Sequence, residues 1–193
     1  MLRIAVIIGS TRPNRFAEFP TQWLLEGASK RSDFELEMLD LRLFGLPFLE
    51  EGIPPSFLHG VYLSQRANEW RQYIGQYDGF IITAAEYNHG PTAVLKNAFD
   101  SAYAEWKKKP VSFVGYGHAG GTRAIEQLRS VAVGLEMAPV YQEVNIVGEQ
   151  YRAIANREAD LNDFADLVQA RTLLFDNMVW WAQALKAARE TPD

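Results

Sequence analysis

The feature that most constrains this chain is a repeated alternation. A short, almost continuously apolar run is followed by a glycine-bearing break and then by a segment with helical spacing. Leu2 to Ile8 is the first such run, and Gly79 to Ala84 and Val111 to Tyr116 repeat it. A strand that is apolar at nearly every position has both faces covered, as in a parallel sheet between layers of helices. Phe34 to Leu39 alternates apolar with acidic residues instead, the pattern of an outer strand, and Val140 to Val147 reads as the last strand. Helical spacing runs from Phe16 to Lys30 through Phe19, Trp23, Leu24 and Ala28, and from Val61 to Tyr77 through Val61, Leu63, Trp70, Tyr73 and Ile74. Another helix is expected to open with Pro91 in its first turn and to continue through Val94, Leu95, Ala98, Phe99, Ala102 and Trp106. A fourth ends near Leu135, and Arg157 to Ala188 reads as the last helix, while Gly45 to Pro55 reads as a surface loop. Strands alternating with helices require right-handed crossovers and predict a doubly wound α/β fold, a five-stranded parallel sheet with helices on both faces.

Composition narrows the function classes. With 193 residues the chain suits one domain, residues 1–193, with a full core and no staples. It has no cysteine, which removes disulfide scaffolds, thiolate metal sites and cysteine nucleophiles together. A net charge of −5 gives no electrostatic case for nucleic acid, and Lys107-Lys108-Lys109 reads as a solvated helix end. The apolar opening is far shorter than the ~20 residues of a membrane span and lacks a signal peptide's basic start, so a soluble, cytoplasmic protein is expected.

In an open parallel sheet, ligands sit beyond the carboxyl ends of the strands where strand order reverses. Three breaks fall there. Gly9-Ser10-Thr11-Arg12-Pro13-Asn14-Arg15-Phe16 offers hydroxyls, backbone N–H groups at a helix start and two arginines, a set suited to a phosphate or to a plain capped turn. Glu86-Tyr87-Asn88-His89-Gly90 offers a flat ring, an amide and exposed backbone, or an ordinary turn into a helix. Gly115 to Gly121 has four glycines in seven residues, which would let a planar ligand lie directly on backbone; tight packing accounts for one or two of them more easily than four. No metal site is read from the sequence.

The blocks GSTRPNR at 9–15, EYNHGPTAVLKNAFD at 86–100 and GYGHAGGTRAIEQLR at 115–129 resemble the NADPH-dependent FMN reductase family. These flavodoxin-like enzymes include quinone, azo-dye and chromate reductases. The resemblance spans residue 3 to about 147. It implies that Ser10, Arg12, Arg15 and the N–H groups of Phe16 and Ala17 hold the FMN phosphate. Many members carry a hydroxyl residue where Arg15 stands. Ala85, Glu86, Tyr87 and Asn88 would line the isoalloxazine, largely through backbone, and Gly117, His118 and Gly120 would approach its other edge. The family usually has proline where this chain has Ala85.

By that resemblance the chain is an oxidoreductase. NADPH or NADH would give a hydride to flavin N5, and a small acceptor such as a quinone, free flavin, azo compound or metal oxyanion would take two electrons in a ping-pong scheme. No catalytic side chain is required, because the flavin carries the chemistry. His89 and His118 lie in the flavin loops, and loop histidines with solvent or backbone partners are the commoner case. A flavodoxin-like FMN electron carrier without NAD(P)H turnover is the alternative, followed by a scaffold without cofactor. A phospho-accepting receiver domain lacks its acidic cluster here. Leu161, Phe164, Val168, Phe175, Met178, Ala182 and Leu185 form one apolar stripe on the last helix, and Leu173 and Trp180 project outside it beside Trp181. That second face predicts a homodimer, or a dimer of dimers.

Overall fold

Parity along the strands decides which side chains go to which face of the sheet. The computed structural model describes residues 1–58 and 60–191. Its parallel strands are β1 (Leu2–Ile8), β2 (Phe34–Asp40), β3 (Gly79–Tyr87) and β4 (Pro110–Gly117), with a fifth position filled by two short pieces, β5 (Ala138–Pro139) and β6 (Val144–Val147). The order across the sheet is β2, β1, β3, β4, then β5 and β6 one after the other along the edge of β4. In register, Leu2 lies against Phe34, Ile4 against Gly79, Phe80 against Val111 and Val114 against Val144.

The helices of eight residues or more are α1 (Glu18–Ala28), α2 (Gln65–Gly75), α3 (Ala93–Asp100), α4 (Thr122–Gly134), α5 (Gly148–Ala155) and α6 (Ala165–Glu190), with single turns at Leu41–Phe44, Pro55–Phe57 and Leu161–Asp163. Ile4, Val6, Ile8, Ile81 and Val114 face one layer, where Trp23 and Leu24 of α1 meet Leu174, Phe175 and Met178 of α6. The alternate residues Ala5, Ile7, Phe80, Ile82 and Phe113 face the other, where Trp70 and Ile74 of α2, Leu95 and Phe99 of α3 and Leu128 of α4 pack. The doubly wound α/β fold expected from the sequence is the observed one. Trp70 anchors the second layer: its ring is buried, and its indole N–H donates to the carbonyl of Ala98 at 2.8 Å.

Several element boundaries differ from the expectation for local reasons. The helix read from Val61 starts only at Gln65, where Ser64 accepts from the Ala67 N–H as its cap, and Val61 and Leu63 are exposed. Pro91 is not in a first helical turn. It pairs with Glu86 in a two-residue ladder, and Thr92 caps α3 instead. That helix ends at Asp100, so Trp106 lies beyond it, buried by tertiary packing with its indole N–H on the Phe99 carbonyl. Val140 to Val147 is not one strand, because Arg129 of α4 takes the carbonyls of Val140 and Tyr141 away from the ladder. The region before α6 holds the unexpected α5. On α6, Phe175, Met178 and Ala182 are buried as expected, joined by Leu167, Leu174 and Val179, while Val168 and Leu185 are only partly covered; buried Leu161 and half-buried Phe164 of the expected stripe precede the helix.

Trp70→Ala is expected to cost about 3–5 kcal/mol in urea unfolding, because it empties the centre of the α2 layer and strips a donor from Ala98.

Candidate functional site

β1 and β3 are neighbours, yet the chain leaves them toward opposite layers, to α1 after β1 and to α3 after β3. A cavity of ≈ 270 Å³ opens at that divergence, lined by the loops after β1, β3 and β4 and by α5.

The first loop is tied down before any ligand is considered. The Gly9 N–H donates to the Thr83 carbonyl at 3.1 Å, and a Cβ on residue 9 would lie 2.5 Å from that oxygen, so only glycine allows the approach. Thr92 donates from Oγ1 to the Gly9 carbonyl at 2.6 Å. Ser10 is buried, its Oγ 2.7 Å from Tyr87 Oη. Arg15 donates to the Ser10 carbonyl at 2.6 Å, and Arg42 donates to the carbonyls of Thr11 and Arg12. Three successive oxygens that would repel an anion are thus taken up by guanidinium groups. The N–H groups of Phe16 and Ala17 donate to no protein oxygen among the described residues, and α1 has no side-chain cap. Arg12 is exposed and faces no carboxylate among the described residues, its guanidinium 5.8 Å from the Tyr87 ring centroid.

Arg15 is arranged differently from Arg12. Its side chain is only 3% exposed and grips Asp40 with both terminal nitrogens, while Nε donates to Glu18 at 3.2 Å. Asp40 ends β2 directly opposite Ile8 of β1, which brings it under the loop. Burial pushes its carboxyl upward, but hydrogen bonds from Arg15 and the Arg42 N–H more than reverse this and leave it below the ordinary value. Arg15 is therefore a strut for the loop, with its charge already matched.

The second loop is a tight hairpin. Asn88 and His89 both take left-handed backbone, φ 52 and 69, between Glu86 paired with Pro91 and Tyr87 paired with Gly90. Its tip is held from α4, where Gln127 donates to the His89 carbonyl at 2.7 Å. The Glu86 carboxylate accepts from the Arg123 N–H at 3.1 Å and its guanidinium at 2.6 Å, closing the N-terminus of α4. Burial would raise that carboxyl, yet Arg123 holds it below its usual range.

The glycines of the third loop divide unequally. A Cβ on Gly115 would meet the Gly120 carbonyl at 2.1 Å, one on Gly120 the Val147 side chain at 2.5 Å, and one on Gly121 the Ala84 carbonyl at 3.0 Å. Packing demands those three. Gly117, at φ 128, has open space where its Cβ would be and lies on the cavity.

Of the residues expected at the site, Ser10, Arg12, Arg15, Phe16, Ala85, Glu86, Tyr87 and Gly117 line the cavity. Ala17 and Gly120 are buried behind it, and Asn88 and His118 are exposed outside its lining. Asn14, Phe19, Tyr116, Tyr151 and Ala155 line it without having been anticipated. Tyr116 follows Val114 by one strand period, so it points to the α1 side, where its ring meets Phe16 at 5.1 Å. Its hydroxyl is buried without a protein partner among the described residues. An uncapped helix start, a guanidinium without a counterion and an orphaned phenol suit a phosphate monoester, and Gly117 leaves room for a flat group beside it.

A profile of the NADPH-dependent FMN reductase family matches residues 2–151, and the chain belongs to that family. An NAD(P)H-dependent FMN reductase of Schizosaccharomyces pombe is 36% identical over 135 residues, 70% of this chain and 68% of that protein. A 2-hydroxy-1,4-benzoquinone reductase of a Burkholderia species is 31% identical over 163 residues, 80% of this chain and 84% of that one. Among solved structures, the flavoenzyme NAD(P)H:(acceptor) oxidoreductase of Paracoccus denitrificans superposes with a TM-score of 0.73. It covers 95% of this chain and 98% of its own at 21% identity, a likeness of fold. The chain is thus an oxidoreductase of a family that works with FMN and NAD(P)H.

Asp40→Asn is expected to cost about 3 kcal/mol at neutral pH, because it strands Arg15 in a buried position. Because the folded carboxyl titrates below its unfolded value of about 3.9, its contribution is complete above that value and is lost as pH falls through the folded one. Urea unfolding as a function of pH should therefore show a shallower acid limb for the variant than for the natural protein.

Proposed function

We propose that the chain moves reducing equivalents from NAD(P)H to a small acceptor, a quinone, free flavin, azo compound or metal oxyanion, in two half-reactions that use one open face of the cleft in turn. FMN, when bound, supplies the chemistry, taking a hydride from the nicotinamide and giving two electrons to the acceptor. What carries the reading is the donor set at the point where β1 and β3 diverge. Arg12, Phe16 and Tyr116 line one cavity beside an open Gly117, and the N–H groups of Phe16 and of Ala17 just behind it have no protein acceptor among the described residues.

The protein's part is to hold and orient. Ser10, Arg12, Phe16 and Ala17 take the phosphate, while Arg15, tied to Asp40, keeps the loop in shape for them. Ala85, Glu86, Tyr87 and Asn88 border the ring system chiefly through backbone, the Glu86 carboxylate being engaged with Arg123. Gly117 and the exposed His118 form the opposite border, Gly117 giving a ring access to backbone, while Gly120 supports it from behind through its N–H on the Gly117 carbonyl. Tyr151 of α5, its ring 4.6 Å from Phe16, closes the cavity on the α1 side.

We further propose that the active form is a cytoplasmic homodimer or dimer of dimers. No described helix is long and apolar enough to cross a membrane. Leu173, Trp180 and Trp181 are exposed on α6, the two indoles 5.2 Å apart and nearly perpendicular. Large aromatic groups left in water on one helix face favour burial against a like face.

Two measurements test these readings. The purified protein should bind FMN and show flavin absorption that bleaches when NADPH is added without oxygen; a protein that holds FMN but is not reduced by NADPH would be an electron carrier instead. Light scattering on a size-exclusion column at micromolar concentration should give at least twice the mass of 21.8 kDa, whereas a single-chain mass would refute the assembly.

A further inference from the structure

Tyr116 is the side chain of the cleft whose polar atom is both enclosed and unengaged. The residue is 7% exposed, and among the described residues no protein group bonds its hydroxyl. Other polar groups nearby are spoken for: Ser10 with Tyr87, and Arg15 with Asp40. A buried hydroxyl left unpaired is costly, so its retention points to a partner that arrives from outside the chain. Tyr87, Tyr151, Arg15 and Arg12 line the same cavity. Of the two guanidiniums, Arg12 has no carboxylate of its own among the described residues. A phenol and an unmatched cation that line one cavity suit an oxyanion, with the phenol donating and the cation supplying the charge. The Phe16 ring, at the start of the turn into α1, packs against the phenol ring at 5.1 Å between centroids.

We infer that Tyr116 is a specificity-determining residue, its hydroxyl donating to the phosphate of the bound flavin nucleotide and, with Arg12, selecting FMN over unphosphorylated riboflavin. The inference rests on the reading of this cleft as the FMN site. It also reassigns the second phosphate contact. Arg15 is held by Asp40 beneath the loop, and the contact passes to a residue of β4 that lines the same cavity. Burial, with Tyr87 and Tyr151 next to it, holds the phenol protonated far above neutral pH, so it remains a donor throughout the physiological range.

Tyr116→Phe tests this, with FMN and riboflavin titrated separately into flavin-stripped protein and binding followed by flavin fluorescence. The variant is expected to lose about 10- to 100-fold in FMN affinity and less than about twofold in riboflavin affinity, and Arg12→Ala to show the same selective loss. The melting temperature of the flavin-stripped variant should equal or exceed that of the natural protein, since the change deletes an orphaned hydroxyl. Equal losses for both ligands would place the contact on their shared part and overturn the inference. Unchanged FMN affinity, or a lower melting temperature without flavin, would do the same. A natural protein that binds neither flavin would instead refute the FMN reading itself, an outcome independent of the variant.

Discussion

The buried pair between Arg15 and Asp40 is the interaction on which the cleft depends. Two charges taken out of water must be matched closely, and here both terminal nitrogens of Arg15 meet the carboxylate while one also holds the Ser10 carbonyl. The pair fastens the loop after β1 to the end of β2, and Arg42 continues the fastening to the next two carbonyls. A loop whose oxygens are turned to protein cations offers an anion its N–H groups without having to rearrange. Pre-organisation of this kind lowers the ordering cost of binding.

The other loops are locked to the first and to each other by single contacts that each span a large sequence distance. Thr92 joins the start of α3 to Gly9, Tyr87 joins the hairpin to Ser10, and Glu86 with His89 joins the hairpin to α4. The left-handed backbone at His89, where a side chain is less comfortable than glycine, is held by the bond from Gln127. The rim is therefore one connected object, and a change at Asp40 or Glu86 is felt across it.

The strands were legible because burial on both faces forces apolar residues at every position, a pattern no loop imitates. The breaks after β1, β3 and β4 were legible as glycine-bearing turns, which is why eight of the expected site residues line one cavity. The family resemblance puts Arg15 on the phosphate, whereas its grip on Asp40, 25 residues away, is legible only through the register of Ile8 against Asp40. Tyr116 carried a readable signal, being two residues beyond Val114 and thus on the α1 face, but a strand aromatic looks like core until its hydroxyl is followed. Tyr151 and Ala155 were missed with α5 itself, where Ile154 is the one fully buried side chain and the apolar period is correspondingly faint. Three of the four glycines from Gly115 to Gly121 serve packing, a distinction that depends on what approaches each position and is invisible in composition.

The interrupted fifth position has a consequence for how this sheet behaves among copies of itself. Its two pieces are two and four residues long, Pro139 has no amide hydrogen to offer, and Arg129 covers the carbonyls between them. At the opposite border β2 carries Glu35, Glu37 and Asp40. Neither border offers a stranger a long, uncharged row of free amides and carbonyls to zip onto, which disfavours edge-to-edge pairing of one sheet with another.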